Sequence, residues 1–241
     1  HHQVNPGGRY NWDVNQAGPL FTTMVDGRER DLVTTVGQNG VLHILDRDTR
    51  ELVYTVPITS QKNVDAPLTE EGVHVCPGHR GGTEWNGPAY NPGTNMLYTP
   101  AVDWCSTWQA NYTQYGDEGQ LDPDEPAGVG DPIELSQGWL TAANASTGEV
   151  WWRYRSDRPM IGAVATTSGN LVLTGELTGD FLVLHARTGD VLYRFNTGSA
   201  IGGGVITYRI DGKQYIAVMS GNQSSGWGSR GAATAWIFSL P

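Results

Sequence analysis

Gly138–Trp152 reads GWLTAANASTGEVWW and is one of three related segments in this chain. The other two are Gly179–Tyr193, GDFLVLHARTGDVLY, and Gly40–Tyr54, GVLHILDRDTRELVY. Each contains an apolar run, a polar residue, a turn that includes Thr, and a second run with an aromatic side chain. Gly138 and Gly179 are 41 residues apart, the length of one four-stranded propeller blade.

The rest of the chain has the same character, since short β-branched runs alternate with Gly, Asn, Asp and Pro and helical periodicity is nearly absent. Thr-Gly supplies the positive φ that a tight hairpin needs, and we expect each aromatic residue to pack against the neighbouring blade. The sequence therefore predicts an all-β chain of about four propeller blades, each a four-stranded antiparallel sheet, in an incomplete ring. The expected blades are approximately 1–60, 61–156, 157–198 and 199–241. The final run, 235–241, predicts an inner strand whose outer partner is missing.

Composition excludes two classes of protein. Fifteen basic and 25 acidic side chains give a net charge of −10, which argues against binding to a nucleic-acid backbone. No apolar run approaches the length of a membrane-spanning helix. Because the 241 residues begin at His1 rather than Met, we interpret the chain as mature, processed or cut from something longer.

The second expected blade is oversized, and its excess lies around residues 106–137. This segment contains no Lys or Arg. Its acidic residues are Asp117, Glu118, Asp122, Asp124, Glu125, Asp131 and Glu134. Such a run is typical of a solvated loop. A calcium site is the alternative interpretation, although no EF-hand spacing is present.

The two cysteines, Cys76 and Cys105, do not form a CxxC pattern, which disfavours a zinc ribbon, a thioredoxin motif and covalent haem. Two interpretations remain open from the residues alone. A pair 29 residues apart can close a disulfide in an oxidising compartment, or the residues are buried free thiols of a cytosolic protein.

Three longer parts of the chain match the pattern of one family. They are 76–92 (CPGHRGGTEWNGPAYNP) with 98–105 (YTPAVDWC), 159–167 (PMIGAVATT) with 174–182 (TGELTGDFL), and 196–208 (NTGSAIGGGVITY) with 211–218 (DGKQYIAV). Together these runs resemble the quinoprotein alcohol dehydrogenases, which are eight-bladed propellers that use pyrroloquinoline quinone (PQQ). By this resemblance the chain corresponds to the C-terminal half of such an enzyme.

The resemblance implies an active-site base. In this family a carboxylate in a Trp-Asp pair takes the proton of the alcohol while hydride passes to the quinone, and the carboxylate lies beside a metal ion. The pair is Trp12-Asp13 here, so Asp13 is the expected base and metal ligand. A structural Trp-Asp that caps a blade turn is the alternative. Relatives that use lanthanides have a further Asp two residues on; Asn15 occupies that position, which favours Ca2+ over a lanthanide.

Four further residues are expected to bind the cofactor by the same resemblance. Gln38, in Gln38-Asn39-Gly40, replaces a basic residue, so we expect weaker stabilisation of negative charge on the quinone. Trp85 corresponds to a Trp at the cofactor edge, and Glu84 stands where an amide is common. Gly203 corresponds to backbone that passes close to the cofactor. A hairpin role for Gln38 and packing roles for Trp85 and Gly203 are the alternatives.

The resemblance also implies that Cys76 and Cys105 form a disulfide, worth roughly 3 kcal/mol of stability, and that the protein is periplasmic. The expected reaction is oxidation of a small alcohol to an aldehyde, with cytochrome c or a quinone as electron acceptor. Four blades leave two sheet edges exposed, so we expect an N-terminal half or self-association to complete the ring, and the isolated chain to be inactive.

A non-catalytic propeller scaffold in the cell envelope is the alternative function, because scaffold propellers share the blade repeat. That interpretation does not predict the cysteine spacing or the Gly-Gly-Thr-Glu-Trp run. The hydrolase and metalloprotease motifs GxSxG and HExxH do not occur in the sequence.

Overall fold

The computed structural model describes residues 2–6, 10, 12–110 and 127–239. Within these residues the chain is built almost entirely of β-strands, joined by turns and two short 3-10 helices at Ile133–Leu135 and Ser225–Trp227. The strands in chain order are β1 Val14–Val25, β2 Arg28–Gly37, β3 Val41–Asp46, β4 Leu52–Pro57, β5 Val73–Val75, β6 Ala89–Asn91, β7 Met96–Asp103, β8 Ser106–Gln109, β9 Ala127–Gly130, β10 Gln137–Asn144, β11 Val150–Ser156, β12 Ala165–Thr166, β13 Leu171–Gly175, β14 Asp180–His185, β15 Val191–Asn196, β16 Val205–Ile210, β17 Lys213–Ser220 and β18 Thr234–Ser239.

Four antiparallel sheets follow one another along the chain and form an open arc of blades. Their strand orders are β1-β2-β3-β4, β6-β7-β10-β11, β12-β13-β14-β15 and β16-β17-β18. The predicted all-β fold of propeller blades in an unclosed ring is confirmed. As expected for the C-terminal run, β18 pairs with β17 and has no further neighbour among the described strands.

The excess of the second blade contains the strands β8 and β9. They form a small extra sheet with the earlier strand β5, in the order β5-β8-β9. Of the acidic residues predicted to lie in a loop or a calcium site there, only Asp131 and Glu134 fall among the described residues. The other five, Asp117, Glu118, Asp122, Asp124 and Glu125, lie outside them.

The three related segments form the same structure in three blades. In each, an interior strand (β3, β10 or β14) leads through a tight turn into the edge strand. Gly148 and Gly189 have the predicted positive φ, 75° and 78°, and Arg50 adopts a similar φ of 66° in the first copy. The amide of the residue at this position bonds back to the carbonyl of the polar residue that ends the interior strand.

These turns are also the contact points between blades. A Cβ added at Gly148 would lie 2.7 Å from the Tyr54 ring, and one at Gly189 would lie 2.8 Å from the Trp152 ring. In the first and second blades the aromatic side chain therefore covers the turn glycine of the next blade, as predicted, whereas Tyr193 of the third copy is 47% exposed. Trp152 also donates its Nε1–H to the carbonyl of Ala186, at 3.0 Å.

One apolar cluster fills the space between each pair of successive blades. Phe21 and Leu32 of the first blade pack with Leu97 of the second, and the same pattern continues between the second and third and between the third and fourth blades. The first strands of the blades (β1, β6, β12 and β16) contact one another in turn. This places them on the inner side of the arc, where wedge-shaped blades converge.

The two outermost faces of the arc are apolar and exposed. On the fourth blade the exposed side chains include Ile206, Met219 and Ile237; on the first blade they include Leu20 and Met24. In the second blade, by contrast, the interior strand β7 is buried along almost its whole length. The described chain thus has two faces of the kind that elsewhere pack against another blade.

We expect Trp152→Ala to lower the free energy of unfolding by about 2–3 kcal/mol, because it removes the indole from between two blades and one of the two hydrogen bonds to the Ala186 carbonyl, which also accepts from the Tyr98 hydroxyl. The measurement is urea denaturation followed by circular dichroism. Trp151, the adjacent residue, is 45% exposed, so Trp151→Ala is the matched control and should change stability by less than about 0.5 kcal/mol. Equal losses in the two variants would contradict the interblade role.

Candidate functional site

The predicted site residues lie at one end of the blades. In an antiparallel blade, the residues that precede the first strand and those that follow the second strand share an end. Asp13 precedes β1 and Gln38 follows β2, while Trp85 and Gly203 precede β6 and β16. Since the first strands line the inner side of the arc, these residues gather near its centre.

Asp13 and Gln38 are in direct contact. The backbone N–H of Asp13 donates to Oε1 of Gln38 at 3.0 Å, and the backbone N–H of Gln38 donates to the carbonyl of Asp13 at 2.8 Å. The Asp13 side chain is exposed, whereas the preceding Trp12 is 7% exposed and donates its Nε1–H to the carbonyl of Gly78. A buried tryptophan thus anchors an accessible carboxylate, and the Gln38 amide nitrogen donates no hydrogen bond to the residues that the structure describes.

The loop 78–82 packs on Gln38. A Cβ at Gly81, which has a φ of 70°, would lie 2.5 Å from Cβ of Gln38. The backbone N–H of Gly82 donates to the Gln38 carbonyl at 2.6 Å. The Gly-Gly pair therefore allows the loop 78–82 to approach Gln38 closely. Because Gln38 is hydrogen-bonded to Asp13, this contact brings the segment 80–86 near Asp13.

Trp85 connects the second blade to the entry of the fourth. Its Nε1–H donates to the carbonyl of Gly202 at 2.9 Å, yet the residue remains 45% exposed. Gly203 follows directly, and its carbonyl accepts from the Ala163 N–H at 3.0 Å. A Cβ at Gly203 would lie 3.1 Å from Cβ of Met219. The indole thus offers an accessible aromatic surface beside a close-packed glycine.

Glu84 has an unusual environment for a carboxyl group. Burial raises the pKa of Glu84 to about 7, and the positive charge of nearby Arg80 opposes this rise only in part. A carboxyl with this pKa is substantially protonated at neutral pH, so it can donate a hydrogen bond as an amide does. This property suits the position, where the resemblance leads us to expect an amide.

Arg80 is the residue that sequence reasoning missed. It was visible as a basic residue directly before the Gly-Gly pair, but no pattern gave it a role. Its guanidinium carbon lies 5.4 Å from the centre of the Trp227 ring, and a Cβ at Gly226 would lie 2.6 Å from one guanidinium nitrogen. A loop of the fourth blade therefore contributes to the surroundings of a residue from the second.

The predicted disulfide between Cys76 and Cys105 is present, with a Cα–Cα distance of 4.5 Å. It joins the segment before the loop 78–82 to the end of β7. The amide of Gly78 also bonds to the carbonyl of Trp104 at 2.8 Å, so the base of this loop is fastened twice.

The predicted metal ligand Asp13 does not belong to a group of three or more His, Cys, Asp or Glu side chains in the part of the chain that the structure describes. The one such group there consists of His74, Cys105 and Asp131. Since the sulfur of Cys105 is in the disulfide, it is not a free thiolate ligand. The side chain of Asn15 lies outside the described residues.

Comparison with known proteins identifies relatives of this chain, although no family model matches it. The chain is 29% identical over 253 residues, 93% of its length, to the quinoprotein alcohol dehydrogenase PedH of Pseudomonas putida (strain KT2440). It is 29% identical over 279 residues, 100% of its length, to a quinoprotein ethanol dehydrogenase of Pseudomonas putida. The resemblance found in the sequence is therefore confirmed: this chain is homologous to quinoprotein alcohol dehydrogenases.

The fold comparison agrees. The chain matches the crystal structure of the quinohemoprotein alcohol dehydrogenase from Comamonas testosteroni with a TM-score of 0.78 and 21% identity, over 91% of this chain and 37% of that one. The chain spans 40% of PedH and 44% of the ethanol dehydrogenase, less than half of either relative. The relatives described here give no support to the scaffold interpretation.

The predicted roles of Asp13, Gln38, Glu84, Trp85 and Gly203 stay predictions, although their positions are adjacent in space or linked through the contacts above.

Among the described residues, no helix is long and apolar enough to cross a membrane.

We expect Glu84→Gln to stabilise the protein more at pH 8 than at pH 5. The folded pKa is about 7 and the ordinary value is 4.5, so between these values the unfolded chain is ionised while the folded chain keeps its proton. Wild-type stability from this group is therefore present at low pH and lost as the pH rises through 7.

Gln does not titrate, so the difference between variant and wild type should grow by about 1–2 kcal/mol from pH 5 to pH 8, allowing for partial solvent exposure. Urea denaturation at both pH values measures it. Glu29→Gln, at an exposed position of β2, is the matched control and should show no such growth. A Glu84→Gln effect independent of pH would contradict the assignment.

Proposed function

We propose that this chain is part of a PQQ-dependent alcohol dehydrogenase of the periplasm that oxidises alcohols to aldehydes, with Asp13 as the general base. The main support is the convergence of Asp13, Gln38, Trp85 and Gly203 at the inner end of the blades, in a homologue of enzymes named for this activity.

The residues present fit a planar, polyanionic quinone. Among the described residues, neither the buried Nε of Arg80 nor the amide nitrogen of Gln38 has a hydrogen-bond partner, and the accessible indole of Trp85 offers an aromatic surface. We assign these residues, with Glu84 and Gly203, to cofactor binding. Bound PQQ supplies the acceptor for the hydride of the alcohol.

In the proposed mechanism the Asp13 carboxylate accepts the proton of the substrate hydroxyl. Its accessibility allows an alcohol to reach it, while its backbone bonds to Gln38 and the anchor of Trp12 fix its direction. Gln38 donates a hydrogen bond but adds no positive charge, so it stabilises developing negative charge less than a cation does. Protonated Glu84 is a second neutral donor.

For the metal ion, Asp13 is the one ligand that we assign in the described residues. A calcium site needs 6–8 oxygen ligands, so Asp13 by itself does not constitute one. We propose Ca2+ rather than a lanthanide as the ion, with its other ligands outside the described residues, and we assign no step of the reaction to it.

The exposed apolar faces of the first and fourth blades support a larger assembly. We propose that further propeller blades, from an N-terminal half or from a second copy, cover these faces and complete the ring. The completed enzyme passes electrons to cytochrome c or to a quinone.

We expect the completed propeller to bind PQQ next to Trp85 of this chain. Titration with PQQ in the presence of Ca2+ should quench tryptophan fluorescence, and Trp85→Phe should remove the largest share of the quenching. Trp151 has the same exposure, 45%, but belongs to the outer edge strand of the second blade, so Trp151→Phe should preserve the quenching. Absence of binding, or equal loss in both variants, would contradict this site.

We expect Asp13→Asn to lower alcohol-dependent reduction of an artificial dye by about 100-fold or more in the assembled holoenzyme, because Asn cannot accept the proton. PQQ affinity should change much less. Asp26→Asn is the matched control, since Asp26 lies in the β1–β2 turn at the opposite end of the same blade. An active Asp13→Asn enzyme would exclude Asp13 as the base.

A further inference from the structure

Arg80 is a partly buried cation that has no ion-pair partner among the described residues. In the part of the chain that the structure describes, Arg80 forms no ion pair, and its buried Nε has no hydrogen-bond acceptor. Withdrawing a charged donor from water without such an acceptor costs free energy. A group of this kind points to an anionic acceptor that is supplied from outside the described residues.

Glu84 does not fill this role. If the two groups formed an ion pair, the guanidinium would hold the pKa of the Glu84 carboxyl below its ordinary value. Instead, desolvation outweighs the attraction to Arg80, and the carboxyl favours its neutral form up to about pH 7. The Arg80 donors therefore remain available at neutral pH.

The guanidinium is held in position by apolar and backbone surfaces. On one side the Trp227 ring lies 5.4 Å from its central carbon, a distance typical of a cation–π contact. The backbone at Gly226 approaches so closely that a Cβ there would lie 2.6–3.1 Å from three guanidinium atoms. These contacts orient the group without using its hydrogen-bond donors.

The location of Arg80 connects it to the proposed cofactor site. The residue belongs to the loop 78–82, which packs on Gln38 through Gly81 and Gly82. Its charge also acts on Glu84, directly before Trp85. Arg80 thus lies among the residues that we assign to PQQ. The others, Gln38, Glu84, Trp85 and Gly203, include no basic residue, because Gln38 stands where the family has one.

We propose that Arg80 is the cationic anchor of the cofactor site and that its guanidinium binds an anionic oxygen of PQQ, a carboxylate or a quinone oxygen. This inference rests on the proposed function. Arginine suits the task because its planar set of N–H donors matches a carboxylate in a bidentate arrangement.

The test is PQQ binding to the completed propeller that contains this chain, followed by quenching of tryptophan fluorescence. We expect Arg80→Gln to raise the dissociation constant by about tenfold or more, since a charge-assisted bond is lost. Arg187→Gln is the control, because Arg187 is exposed, donates to the Gly93 carbonyl and lies in the β14–β15 turn at the opposite end of its blade. Its dissociation constant should equal that of the wild type.

A rescue variant separates anion binding from a packing role. Gln38→Lys in the Arg80→Gln background returns a positive charge to the same cluster, and we expect it to recover most of the lost affinity. If the wild type binds PQQ and Arg80→Gln binds it equally well, this inference fails while the proposed function stands. Lost affinity without rescue, together with a lowered melting temperature, also overturns it. A wild-type protein that does not bind PQQ once the propeller is complete contradicts both.

Discussion

Each blade has two faces, and the structure depends on burying both of them. A sheet a few strands wide has too little interior to be stable alone, so apolar side chains of one blade must meet those of the next. The aromatic-on-glycine contacts, Tyr54 over Gly148 and Trp152 over Gly189, set the register of this stacking at the outer rim. At the two ends of the described arc this burial is incomplete, because Leu20, Met24 and Ile237 remain exposed.

The same stacking creates the candidate site. Because the blades converge on their inner strands, loops distant in sequence meet at one end of the arc. Trp85 reaches the carbonyl of Gly202, 117 positions away, and Arg80 reaches Trp227. Each contact joins the second blade to the fourth, so the site depends on the angle between blades as well as on its own residues. Completing the ring and completing the site are therefore physically linked.

The contacts that the sequence predicted correctly are local or repeated ones. Positive φ at Gly148 and Gly189 follows from hairpin chemistry, and the aromatic packing follows from the repeat. The disulfide between Cys76 and Cys105 came from the family resemblance. The lack of an acceptor for the Arg80 Nε among the described residues and the raised pKa of Glu84 were not predictable, because both depend on what surrounds these side chains in the fold. The presence of an Arg or a Glu in the sequence does not indicate which groups will surround it in the folded protein.

By itself, the sequence determined the all-β character, the blade repeat and the kinship with quinoprotein alcohol dehydrogenases. These depend on patterns within about 40 residues. Such patterns can be recognised in the sequence because strands that are neighbours in a blade are also close along the chain. Tertiary structure alone decided which polar groups of the site are paired, which are buried and which carry available charge. Desolvation and Coulomb interaction depend on distance through space, and the stacking of blades brings together residues that the chain separates by more than a hundred positions.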